Sequence, residues 1–121
     1  MAGPRPWPVE IRVVSAEKVL EVDYDDGKRF RLPAEFLRIH SPSADVKGHG
    51  PGQEVTVFGK RDVGIGGVEP VGNYAVRILF DDGHDTGLYS WDYLYELGAN
   101  QDVMWDKYLK KLEAQHLSRE P

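Results

Sequence analysis

Cysteine is absent from the 121 residues, which excludes disulfides and any metal or cluster site built on thiolates, and suits a reducing cytosol. Long apolar runs are absent too. Nowhere does the chain offer the roughly 18 uninterrupted apolar residues of a membrane span, and the opening MAGPRPWPVE has no apolar stretch to serve as a signal-peptide core. The expectation is a cytoplasmic protein that uses no membrane. Positive charge is scarce as well: 15 basic against 20 acidic side chains give a net charge of −5, so no nucleic-acid partner is expected.

Catalytic signatures are also missing. There is no G-x-S-x-G elbow, and the histidines show no Ser-His-Asp order. Gly64-Ile65-Gly66-Gly67 follows Lys60 and Arg61 but lacks the Lys-Ser/Thr of a phosphate-binding loop. His84-Asp85-Thr86 lacks the His-x-Asp spacing of an iron oxygenase. With no complete catalytic constellation, an enzyme is not the expectation.

What is present is one domain's worth of chain, with its most readable chemistry between Gly72 and Gly98. Val76, Ile78 and Phe80 alternate with Arg77 and Leu79, the period of a strand with one buried face. Asp81-Asp82-Gly83 supplies a turn. With Gly83 left-handed, Phe80 pairs with His84, Ile78 with Thr86 and Val76 with Leu88, and His84 points inward at the turn end. Ser90 is a good N-cap, Asp92 suits the first turn of a helix, and Gly98 is expected to stop it.

Upstream, Val9 begins ordered chain after a loose start. Ile11 and Val13 suggest a strand, and Leu20, Val22 and Tyr24 lead into Asp25-Asp26-Gly27. The same turn logic pairs Tyr24 with Lys28, Val22 with Phe30 and Leu20 with Leu32. The two Asp-Asp-Gly hairpins echo one another for reasons of turn chemistry alone. Pro33 is expected at the first position of a short helix with Phe36 and Leu37 inward, broken at His40-Ser41-Pro42-Ser43. Residues 48–53 read as loop. Val55, Val57 and Phe58 suggest a strand and Val68 to Val71 a shorter one, with the glycine-rich segment between. Asn100 caps a longer helix whose Trp105, Tyr108, Leu109 and Leu112 form a packing stripe, and the last four residues are expected to fray. The fold class is thus α+β: a β-rich small domain of antiparallel hairpins with one short helix and C-terminal helices.

A compact fold could gather His40, Ser41, Ser43, Asp45, His49 and His84. For any one of these histidines a structural hydrogen bond is the commoner role. Asp82 and Asp85 beside His84 could add oxygen ligands, so His84 with Asp82, Asp85, His40 or His49 is the set that could weakly hold iron or another divalent ion.

Three separated motifs, Phe36 to Ala44, Gly72 to Val76 and Asp82 to Trp91, occur in an order that resembles the gamma-butyrobetaine hydroxylase-like N-terminal domain. The resemblance divides the chain into a loose 1–8, the domain itself over 9–97, and a C-terminal helical extension over 98–121. In that family the domain precedes the catalytic barrel of carnitine-pathway dioxygenases, is attached to P-loop iron-sulfur carrier ATPases, or stands alone in bacteria. Dioxygenase members hold zinc with three cysteines and a histidine. On this chain those positions fall at Ser41, Ser43, Val46 and His84, so the resemblance implies that the structural zinc is lost and hydrogen bonds close the corner. It further implies a non-catalytic accessory or protein-interaction domain linked to iron-sulfur or iron metabolism, with a P-loop iron-sulfur carrier ATPase as partner. Tyr89, Trp91, Tyr93 and Tyr95 are the aromatic residues where that surface would be sought. The alternative is a weak metal-binding or small-molecule-binding domain with its site at His84, Ser41 and Ser43.

Overall fold

The computed structural model describes residues 5–47 and 55–121. Two three-stranded antiparallel sheets carry the fold. The first comprises β1 (Pro8–Val14), β2 (Val19–Tyr24) and β3 (Arg29–Pro33); the second comprises β4 (Ile65–Val71), β5 (Ala75–Phe80) and β6 (Leu88–Ser90). Between them lie α1 (Ala34–Ile39) and the single turn α2 (Ala44–Lys47); α3 (Trp91–Ala99) and α4 (Gln101–Ala114) follow. The architecture is α+β.

The core forms where the apolar faces meet. Leu20, Val22 and Leu32 from the first sheet pack with Val76, Ile78 and Phe80 from the second, under Phe36 and Leu37 of α1 and Leu94 and Leu97 of α3. The first hairpin has the expected register, with Val22 opposite Phe30 and Leu20 opposite Leu32. Its turn is closed by the Lys28 carbonyl accepting from the Tyr24 amide at 2.8 Å, with Gly27 at φ 88°. On the outer face of that sheet, Arg12 and Arg29 flank Asp23 while Arg12 and Arg31 flank Glu21, so opposite charges stand across the strands.

The second hairpin begins as expected and then departs. Gly83 is left-handed at φ 90°, and the Phe80 amide donates to the His84 carbonyl at 3.1 Å. Residues 84–87, however, leave the ladder, and β6 re-enters it one residue out of step, with Val76 opposite Tyr89 rather than Leu88. Ile78 and Thr86 do not pair. A one-residue slip exchanges the faces of a strand, so Tyr89 is fully buried and Leu88 is exposed. The cause is visible in two contacts: the Thr86 hydroxyl turns to Ser43, and the Tyr89 hydroxyl donates to the Leu37 carbonyl at 2.5 Å.

Other boundaries moved for local reasons. Pro33 ends β3 in extended geometry and caps α1 rather than starting it. Gly66 and Gly67 belong to β4, where a bulge between Ile65 and Gly67 uses them. Residues 55–58 form no strand; Val57 instead packs on a second small cluster of Ile39, Tyr108 and Leu112. Gly98 lies inside α3, which ends at Ala99. Asn100 sits at the N-cap position of α4, where its carbonyl accepts from the Met104 amide at 2.9 Å, but its side chain makes no capping bond; the side-chain amide donates instead to the Glu96 carbonyl and closes α3. The C-terminal residues are pinned rather than frayed, because Arg119 makes a two-pronged ion pair with the buried Glu35 and lies over the Trp105 ring. The expected loop over 48–53 lies outside the described residues. No helix among the described residues is long and apolar enough to cross a membrane.

Candidate functional site

Two corners meet where α1 ends and the second hairpin turns. Pro42 and the α1 terminus bring Ser41 and Ser43 inward, both buried, and the departure of residues 84–87 from the ladder carries His84 and Thr86 toward them. Ser41 Oγ and His84 Nε2 are 2.8 Å apart; Ser43 Oγ and Thr86 Oγ1 are also 2.8 Å apart. The Ser43 amide adds a bond to Ser41 Oγ at 3.3 Å. His84 and the segment after α1 therefore meet through a chain of side-chain hydrogen bonds.

Asp82 anchors the turn from the other side. Its Oδ2 accepts from Arg38 Nε at 2.8 Å and lies 2.7 Å from Lys60 Nζ, while Oδ1 accepts from the His84 amide at 3.1 Å. Burial alone would push this carboxyl up, but Lys60, the His84 amide and Arg38 outweigh it and hold its pKa at about 2. The sign is that of a depressed acid: the stabilisation is complete above the ordinary carboxylate range near about 4 and is lost as the pH falls through that range toward 2. Urea midpoints measured across this interval should fall more steeply for the native chain than for Asp82→Asn, which lacks the titrating group.

The remaining candidates are scattered. His40 stacks edge-on against Phe36 with ring centroids 4.9 Å apart, and its carbonyl accepts from the Tyr93 hydroxyl. Asp85 is exposed, and His49 and the Asp45 side chain lie outside what the structure describes. Among the described residues no three His, Asp or Glu side chains gather as a metal ion requires. At the positions implied for zinc, His84 is engaged by Ser41, Ser43 by Thr86, and Val46 is a buried apolar residue. One imidazole with neutral hydroxyls and a valine does not fit zinc. His84→Asn should leave the fold intact and cost about 1 kcal/mol in chemical unfolding, the worth of one altered hydrogen bond.

Of the aromatic residues expected at a surface, Tyr89 is wholly interior and presents nothing to a partner. Tyr93 is half-buried with its hydroxyl on His40, and Tyr95 ties α3 to the first hairpin through Asp26 at 2.6 Å. Trp91 differs. Its indole N–H donates to the Asn73 carbonyl at 2.8 Å, which leaves an apolar ring edge-on to Trp7 with centroids 6.3 Å apart. Trp7 is 50% exposed and Tyr74, whose carbonyl accepts from the Trp91 amide, is 53% exposed. Trp7 was not singled out in the sequence because it sits in the loose start of the chain, and Tyr74 because it read only as the beginning of the strand through Val76, Ile78 and Phe80.

The profile described as "Gamma-butyrobetaine hydroxylase-like, N-terminal" matches residues 11–95. The chain belongs to that family. Two solved relatives, both solution structures by NMR, extend the likeness over nearly the whole chain. One is 48% identical, covering 98% of this chain and 93% of its own, with a TM-score of 0.85. The other is 46% identical, covering 100% and 92%, with a TM-score of 0.83. A crystal structure of a DUF971-family protein of unknown function from Acidithiobacillus ferrooxidans is 41% identical over 81% of this chain and 99% of its own, with a TM-score of 0.67. No curated protein matches. In this member of the gamma-butyrobetaine hydroxylase-like N-terminal family, then, the corner between α1 and the second hairpin is held by hydroxyls, an imidazole and an ion-paired aspartate.

Proposed function

We propose that this chain is a non-catalytic accessory domain that binds another protein, a P-loop iron-sulfur carrier ATPase of the kind to which family members are fused. The observation that carries the reading is the aromatic patch of Trp7, Tyr74 and Trp91. Large aromatics at the surface are costly to leave in water and are enriched among the residues that dominate binding energy. The patch is also built: the Trp91 N–H is satisfied internally, the Arg5–Asp92 ion pair borders it, and the Trp7 amide is fixed by Asp25 Oδ1 at 3.0 Å. A partner would therefore meet ordered rings and pay little to order them.

Trp7→Ser and Tyr74→Ser alter exposed side chains and spare the core. Co-purification from native cytosol should recover the carrier ATPase with the native chain and lose it with the double variant, whose circular dichroism stays native. Recovery of no specific partner, or equal recovery by both proteins, would contradict the proposal.

A further inference from the structure

A second site lies away from the aromatic patch. The end of α1, residues 55–57 and the facing sides of α3 and α4 enclose a cleft of about 430 Å³, within the range of small-molecule sites. Its lining is mostly apolar, with Ile39, Val46, Val57 and Met104 and the rings of Tyr93 and Tyr108, while His40, Ser41 and Thr56 add polar atoms. Both phenol hydroxyls are tied off to backbone, Tyr93 to the His40 carbonyl at 2.5 Å and Tyr108 to the Val57 carbonyl at 2.8 Å. The rings thus offer ring surface to the cleft. Burial pushes both phenols up to about 12, as expected of dry walls.

Among the described residues, the charged side chains on the rim are both lysines. Lys107 and Lys111 line it one helical turn apart on α4. Lys110 pairs with Asp106 on the same helix, whereas among the described residues no ion pair engages Lys107 or Lys111. Two uncommitted ammonium groups at the mouth of an apolar cleft are notable on a chain of net charge −5. The combination specifies an occupant with an apolar body and an anionic head.

We propose that this cleft binds a small amphipathic carboxylate, of the shape of a medium-chain fatty acid, with its head between Lys107 and Lys111 and its chain over Ile39, Val57, Met104 and Tyr108. Lysine is suited to the head because its ammonium is a mobile point charge on a long stem, able to follow a carboxylate without fixed two-pronged geometry.

Decanoate, decanol and decylamine separate the contributions in nitrogen-15 amide titrations of the native chain. Decanoate should bind saturably and shift the amides of Val57, Met104 and Lys107. Decanol and decylamine should bind at least about tenfold more weakly, and Lys107→Gln with Lys111→Gln should weaken decanoate by about tenfold while leaving decanol unchanged, the scale of two rim charges. Both lysines are exposed, so the double variant keeps the fold. Absence of saturable binding, equal binding of decanol, shifts confined to other regions, or an unweakened double variant would each overturn the proposal.

Discussion

Gly98→Ala should destabilise the protein by about 2 kcal/mol, although alanine inside a helix ordinarily gains about 1 kcal/mol over glycine. The reversal comes from Phe30. A Cβ at Gly98 would stand 2.3 Å from Phe30 Cγ and 2.5 and 2.7 Å from its two Cδ atoms, contacts with the body of the ring rather than a flexible end. The ring has little room to retreat, since it lies edge-on to both Tyr24, at 5.8 Å, and Tyr95, at 5.2 Å. α3 is therefore seated on β3 through a missing side chain. Urea unfolding should show the loss, and in a Phe30→Ala background the same substitution should become neutral or stabilising. Stabilisation by Gly98→Ala in the native background would show that the ring yields freely.

Gly87→Ala should cost a similar amount, about 2 kcal/mol, through overpacking together with a broken buried hydrogen bond. Its Cβ would lie 2.5 Å from Ser41 Oγ, 3.1 Å from Tyr89 Cε1 and 3.3 Å from Pro42 Cδ. Ser41 is 1% exposed and cannot swing out to water. Displacing it parts the hydroxyl from His84 Nε2, so the His84 ring signals should move along with the stability. Ser41→Gly in the same chain should recover part of the loss by making room. If Gly87→Ala leaves both stability and the His84 signals unchanged, the close approach of the two corners is not a constraint.

These two glycines mark where reading the sequence succeeded and where it stopped. Apolar alternation and Asp-Asp-Gly chemistry were enough for the first hairpin, for the turn of the second, and for Ser90, whose hydroxyl accepts from the Tyr93 amide at 3.1 Å as an N-cap should. All of these are local rules. The slip that buries Tyr89 was not legible, because Leu88 satisfies the alternating pattern and the deciding contacts come from Leu37 and Ser43, far away in the chain. Gly98 read as a helix stop because close packing against Phe30 leaves no trace in neighbouring residues. Arg119 read as part of a fraying end for the same reason: its partner Glu35 is separated from it by most of the domain. Val55 to Phe58 has strand composition but pairs with no sheet, and Val57 serves the cluster under α4 instead.

At the candidate site, the proximity of His84 to Ser41 and Ser43 followed from the turn register and the resemblance together. Their engagement with one another and the grip of Arg38 and Lys60 on Asp82 needed coordinates. So did the cleft beside α4, since the stripe of Trp105, Tyr108, Leu109 and Leu112 reads as packing and says nothing about the lysines along its edge.

Hydrogen bonds among Ser41, His84, Ser43 and Thr86 close the corner between α1 and the second hairpin, and the domain should keep its fold with no metal there. Elemental analysis of protein purified without an affinity tag tests it most directly, with unfolding measured before and after exhaustive dialysis against a chelator. Only trace zinc and iron are expected, with an unfolding midpoint that the chelator does not move. One tightly held equivalent of either metal per chain, with stability lost on its removal, would contradict it.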